Sequence, residues 1–202
     1  MSKITINVST VRGLVLASAK KDIRYYLNGT LIDYKMGRAV STDGHCLLAV
    51  NTDLADDYNA ESVIVPREAL ESIARGGKVT DSIEIAYDGE TLKLSRQCGL
   101  SINAVPIDAK FPEYTRIMPD SCNGEAAQFD PELLARIGKA LQLAADSKTI
   151  PTVGHNGASG ATVFIDGNTT AIAVCMPCRV EGDPGDAMAE FMNNGNQVKK
   201  AA

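Results

Sequence analysis

The sequence predicts an α+β fold in which helices lie on one side of antiparallel sheets. Three observations predict it. A short β-type run feeding a helix occurs three times along the chain. Each helix is followed by alternating, strand-like runs separated by turn dipeptides. The helix starts recur at a spacing of roughly 60 residues, which makes the pattern an internal repeat of β-α-β-β-β units.

The first unit opens with Ile4-Thr5-Ile6-Asn7-Val8, which alternates as a half-buried strand does. Ser9 is the expected N-cap of a helix carrying Leu14, Leu16 and Ala17. Strands are expected over 25–29, 30–34, 38–42 and 46–50, with Asn28-Gly29 and Asp43-Gly44 as turns. The second unit runs from Val63-Ile64-Val65 through Pro66, which suits a first helical turn, to Leu70, Ile73 and Ala74. Its strands are expected over 82–87, 91–95 and 100–105, with Asp88-Gly89 between the first two. The third unit has Ala127-Gln128-Phe129, then Asp130 as N-cap and Pro131, then Ile137, Ala140 and Leu141 on one helix face. Strands at 149–153, 161–165 and 169–174 complete it, with Asp166-Gly167 as the last turn.

Two such units merge their sheets into one domain, here residues 1–119. The third is left as half a domain, residues 125–180. Asp120-Ser121-Cys122-Asn123-Gly124 is small and polar and reads as the linker. Residues 181–202 lack sustained periodicity apart from Ala187-Met188-Ala189-Glu190-Phe191-Met192 and read as a flexible tail.

At 202 residues the chain can bury a core without disulfides or metal. It has no apolar window long enough to span a membrane, and its first residues lack the apolar core of a signal peptide, so a cytoplasmic protein is expected. Five scattered cysteines make no disulfide framework. Cys175-Met176-Pro177-Cys178 has redox or zinc spacing, but it ends a strand-like run and has no companion ligands nearby. Strand-end packing is the better reading. No nucleophile elbow, phosphate loop or metal constellation is present, and Asp43-Gly44-His45 reads as a tight turn, so an enzyme is not expected. No cofactor is expected either.

Four motifs in order carry a family resemblance. They are Asp22-Ile23-Arg24-Tyr25-Tyr26-Leu27-Asn28-Gly29 with Ser41-Thr42-Asp43-Gly44-His45, then Ser62-Val63-Ile64-Val65-Pro66-Arg67, Phe111-Pro112-Glu113-Tyr114, and Met176-Pro177-Cys178-Arg179. The chain resembles the bacterial DNA polymerase III beta subunit, the sliding clamp. Residues 4–119 are similar to its middle domain, and residues 125–180 to the end of its last domain. The resemblance implies the DNA-clamp fold. A clamp protomer has six such units and this chain has three, so the chain resembles a compact, phage- or prophage-type relative.

The resemblance implies a processivity factor that is not an enzyme, binds duplex DNA without sequence specificity and docks polymerase peptides. Its implied partners are double-stranded DNA, a DNA polymerase and other clamp-binding peptides, and a clamp loader, within a homo-oligomer and without a membrane. Four copies would match the twelve units of a full ring. By motif match, the peptide pocket would be walled by Leu27, Thr42, Gly44, His45, Cys46 and Leu47. Pro112, Arg116 and Ile117 would join them, with Val174, Cys175, Met176, Pro177, Cys178 and Arg179 from the closing strand. Cys46 stands where the family commonly has Arg, and Cys178 where it commonly has Met, which implies a modified peptide preference. The implied DNA-facing residues are Arg12, Lys20, Lys21, Tyr25, Tyr26, Arg67, Arg136 and Lys139. The charge pattern fits: the three helical stretches sum to +4 within a chain of net −5, so an acidic remainder of −9 surrounds a mildly basic face.

The alternative is a non-encircling module that keeps the peptide pocket and serves as an adaptor or as a competitor of a host clamp. Separately, Phe191 and Met192 of the tail are candidates to fill that pocket in cis, as self-inhibition.

Overall fold

The computed structural model describes residues 2–55, 61–145, 150–179 and 186–192. β1 (Ser2–Asn7) alternates buried and exposed residues, with Ile4 and Ile6 turned into the core. α1 (Val8–Ala17) follows with no intervening loop. Its first amides need no side-chain cap, because Val8 N and Ser9 N donate to Asp81 O and Val79 O at 2.8 and 3.3 Å. Ser9 is therefore not the N-cap but a buried residue of the first turn.

A 3-10 turn at Tyr25–Leu27 stands where a strand was expected. Asp22 and Asn28 close this segment on itself. Asp22 N donates to Asn28 Oδ1 at 2.9 Å, and Asn28 Nδ2 donates to Asp22 O at 2.8 Å. Gly29 is not a turn residue but the start of β2 (Gly29–Asp33). Its missing side chain allows a close approach, since a Cβ there would lie 2.7 Å from Val65 O. β3 (Arg38–Thr42) and β4 (Cys46–Asn51) follow the expected bounds closely. β5 (Asp53–Ala55) has no counterpart in the sequence reading.

β6 (Val63–Pro66) leads into α2 (Arg67–Ala74), with Pro66 ending the strand. β7 (Ser82–Tyr87), β8 (Leu92–Arg96) and β9 (Ser101–Ala104) complete the second unit. In the third, Asp130 caps α3 (Pro131–Ala144) by accepting from Glu132 N at 2.8 Å. β10 (Thr152–Gly154), β11 (Thr162–Ile165) and β12 (Ala171–Cys175) close the unit. The strand expected at 127–129 is reduced to a single bridge between Gln128 and Cys178. Residues 186–192 are helical, and Met188, Phe191 and Met192 are exposed there, so Phe191 and Met192 fill no pocket. The rest of the expected tail, and residue 149 of the strand expected at 149–153, lie outside the described residues.

Units one and two merge by exchanging strands. β1 pairs with β7 of the second unit, and β6 pairs with β2 of the first. The result is a five-stranded sheet, β5-β1-β7-β8-β9, and a second sheet built on β4-β3-β2-β6. The third unit extends that second sheet. β12 pairs antiparallel with β4, giving the seven-stranded order β10-β11-β12-β4-β3-β2-β6.

The main core lies between the sheets and the helices, and α1 is buried on most of its surface. α1 and α3 approach so closely that a Cβ on Gly13 would sit 2.5 Å from Ala140 O. Thr10 Oγ1 spans the same contact, donating to Ala144 O at 3.2 Å. A second apolar cluster, including Leu31, Val40, Leu47, Val174, Phe111 and Tyr114, lies on the face of the seven-stranded sheet away from the helices.

Candidate functional site

The seam between β4 and β12 brings His45, Cys46 and Leu47 of unit one beside Val174, Cys175 and Met176 of unit three. Leu47 is opposite Val174, Cys46 is opposite Cys175, and Met176 N donates to His45 O at 2.9 Å. The Asp43-Gly44 turn holds this end of the seam. The Asp43 carboxylate accepts from His45 N and Cys46 N at 2.9 and 2.8 Å, and Arg136 of α3 pairs with its other oxygen. Burial opposes ionisation of Asp43, but these amides and the guanidinium outweigh it and hold the carboxyl below its ordinary value.

Strand alternation sorts these residues by face. Leu47 and Val174 face outward, whereas Cys46 and Cys175 belong to the helix-side core, with their sulfurs 3.3 Å apart. The two cysteines therefore do not line an outer groove, contrary to expectation. The hydrogen bond to Cys175, together with burial, pushes the Cys46 thiol up, and the same bond lowers that of Cys175. Leu27 and Thr42 are buried, and Thr42 Oγ1 is spent on the turn, donating to Cys46 O at 2.6 Å. Gly44, His45, Arg116, Ile117, Met176 and Arg179 are exposed, and Pro177 and Cys178 are half-buried.

A hollow of about 720 Å³ lies on the outer face of the same seam. Ala49, Ile172, Val163 and Ile165 supply apolar lining, and Arg38, Asn51 and Thr170 add polar groups. Met118 to Cys122 form another wall, so the expected linker lines the hollow. That segment is tied down: Tyr114 donates to Asp33 Oδ2 at 2.9 Å, and Gly124 N donates to His155 O at 3.1 Å. Burial and the Asp33 carboxylate push the Tyr114 phenol up to about 12. Pro112 lines a different hollow, with Leu31 and Ile64. Sequence reasoning missed Ala49 and Ile172. The signal was available, because both continue the faces of Leu47 and Val174 at a period of two.

The expected DNA-facing residues divide into two groups. Arg12 donates to Ala74 O and Gly77 O at 3.1 and 2.8 Å, at the end of α2. Arg67 donates to Ser18 O at 2.8 Å and also binds Val15 O, at the end of α1, and Arg136 is paired with Asp43. Guanidinium groups suit helix C-terminal carbonyls, so these three arginines are engaged within the fold. Lys20, Lys21, Tyr25 and Lys139 are exposed, and Tyr26 is half-buried, its ring edge-on to Tyr25 at 6.1 Å. Lys20, Lys21, Arg24 and His45 edge one concavity of about 510 Å³ together with Asp22 and Asp43. Hydrogen bonds from the Arg24 side chain and amide lower Asp22 to about 2. Among the described residues, no acidic, histidine or cysteine group is arranged to hold a metal, and no helix is long and apolar enough to cross a membrane.

The strand-exchanged units, the inner helices and the continuous outer sheet define a clamp-type fold, and solved structures agree. The DNA polymerase III subunit beta from Pseudomonas aeruginosa superposes with a TM-score of 0.63 at 20% identity, over 88% of this chain and 66% of that one. The beta subunit from Thermotoga maritima superposes with a TM-score of 0.69 at 13% identity, over 90% and 66%. The family model described as DNA polymerase III beta subunit, central domain, matches residues 6–113, and the chain belongs to that family. Among curated proteins it is similar to the beta sliding clamp of Vibrio cholerae, 27% identical over 123 residues, covering 58% of this chain and 34% of that protein. It is also similar to the beta sliding clamp of Pseudomonas aeruginosa, 33% identical over 106 residues, covering 51% and 29%. The chain thus spans about a third of the length of the curated relatives it matches.

Proposed function

We propose that the chain is a non-enzymatic, clamp-type tether that docks short polymerase peptides on the outer β4–β12 seam and holds duplex DNA loosely. Residues 1–119 serve as a clamp domain and residues 125–180 as half of another. The observation that carries the reading is the β4–β12 pairing, which unites walls from both segments beside an apolar hollow. Such a surface suits a linear peptide with an apolar anchor, whose burial contributes about 1.5–3 kcal/mol. Exposed Lys20 and Lys21, beside Tyr25, suit phosphate contacts that carry no sequence information.

Two measurements test it together: the affinity of a fluorescent polymerase-tail peptide for the full chain, and retention on closed circular DNA. Peptide binding at the seam with salt-sensitive retention is expected. Absence of peptide binding would sink the docking function.

The engagement of Arg12, Arg67 and Arg136 favours a second reading, an adaptor that binds peptides without encircling DNA. Few free cations then remain for phosphate among the described residues, so affinity for DNA is weak and its salt dependence shallow. Peptide binding with no retention on the circle selects this reading. In both, a polymerase is the partner class, and a loader is required only by the first.

A further inference from the structure

Units one and two share a rule. The strand before each helix pairs with the first strand of the other unit. Asn7, just before α1, stands opposite Ser82, and Pro66, just before α2, stands opposite Gly29. Val8 N donates to Asp81 O and Arg67 N to Asn28 O. Hydrogen-bonded pairs alternate along an antiparallel ladder, so the next bonded pairs are Ile6 with Ile83 and Val65 with Thr30. The other side of β1 is closed by β5, which follows the last strand of its own unit.

Unit three repeats what it can alone. Residues 127–129 precede α3, and Gln128 is bridged to Cys178, just past β12, as β1 is to β5. Cys178 N donates to Gln128 O at 2.7 Å, so the backbone polar groups of Phe129 face the other way. Among the described residues, no strand pairs with that other side, and none pairs with the outer edge of β10.

The direction of the β10 edge follows from the ladder. Asn51 N donates to Thr170 O, so residues 170, 172 and 174 bond to β4, and 171, 173 and 175 bond to β11. On β11, residues 162 and 164 then face β12, and Val163 and Ile165 face β10. Their partners Gly154 and Thr152 are used, which leaves the amide and carbonyl of Val153 pointing outward. Under the shared rule, Asp130 belongs opposite Thr152 and Phe129 in a bonded pair with Val153. Those are the two residues whose backbone groups face outward. The edge also carries no charge to deter pairing, and Ile150 and Val153 are exposed at 92% and 39%.

We propose that a second copy of this chain completes the exchange, residues 127–129 of each copy pairing antiparallel with β10 of the other about a two-fold axis. The interface repeats the one already built between units one and two and closes as an isologous dimer. It rests on strand pairing alone, so its failure leaves the peptide reading untouched, whereas a strict monomer would also count against encirclement of DNA.

Sedimentation velocity on the full chain across a concentration range tests it. A species of twice 21.4 kDa, or an even multiple, is expected. Val153→Pro removes the outward amide while sparing the β10–β11 bonds, and should yield monomer with unchanged circular dichroism. In a Cys98→Ser, Cys122→Ser background, Phe129→Cys with Val153→Cys should give a covalent dimer without reductant, which decides the matter if the proline variant fails to fold. A monomer at every concentration would show that the edge awaits a different protein or further chain, and would overturn the proposal. So would a dimer indifferent to Val153→Pro that forms no cross-link.

Discussion

Arg67, the first residue of α2, donates to the carbonyl oxygen of Ser18 at 2.8 Å, immediately past the last residue of α1. Arg12 of α1 returns the interaction by donating to Gly77 O at 2.8 Å, beyond the end of α2. Each helix thus satisfies the other's terminal carbonyls, which otherwise lack partners. Arg67→Ala should cost about 1.5–3 kcal/mol in a denaturant titration, the range for hydrogen bonds to a charged group. Arg67→Lys should restore only part of it, because an ammonium cannot reproduce the fork. An alanine variant of full stability would show that the cap is idle.

Gly13 sets two opposed effects against each other. In an isolated helix, Gly→Ala stabilises by about 1 kcal/mol. Here the new Cβ would lie 2.5 Å from Ala140 O, a backbone atom that cannot rotate aside. Overpacking of this kind costs about 1–3 kcal/mol, so Gly13→Ala should lower the thermal midpoint. A higher midpoint would mean that α1 and α3 slide apart freely.

Acid should loosen the seam through Asp43. Its folded pKa is depressed, so its contribution is present above the ordinary aspartate value of 3.8 and is lost as pH falls below it toward the folded value. Denaturant midpoints for the native chain and Asp43→Asn should differ at pH 7 and converge below about pH 4. A difference independent of pH would assign the effect to packing instead of charge.

Much of this was legible from local pattern. The alternation in 82–87 and the Asp130-Pro131 start of α3 translate directly into β7 and a capped helix. What was not legible depends on partners distant in sequence. Ser9 looks like a cap, but the carbonyls of Val79 and Asp81 do that work. Gly29 looks like a turn, but it makes room for β6. Residues 127–129 look like a strand, but their pairing is reduced to the single bridge between Gln128 and Cys178. For the site, the family resemblance selected Arg12, Arg67 and Arg136 without seeing that helix ends engage the first two and Asp43 engages the third. Motif matching selected Cys46 and Cys175 without the face to which alternation commits them.

Met176 offers the sharpest test of peptide docking. It follows the buried Cys175, is 39% exposed and is held by its amide to His45 O at 2.9 Å, so its side chain can change without disturbing the core. If an apolar peptide anchor packs against it, Met176→Ala loses part of a contribution of about 1.5–3 kcal/mol. Affinity for a polymerase-tail peptide should then weaken about tenfold, since that corresponds to about 1.4 kcal/mol. Ile172→Asp, on the apolar lining of the hollow, should weaken it further. Both should leave circular dichroism unchanged, and fluorescence anisotropy would read the affinity. Unchanged binding in both variants would move the docking surface away from the β4–β12 seam.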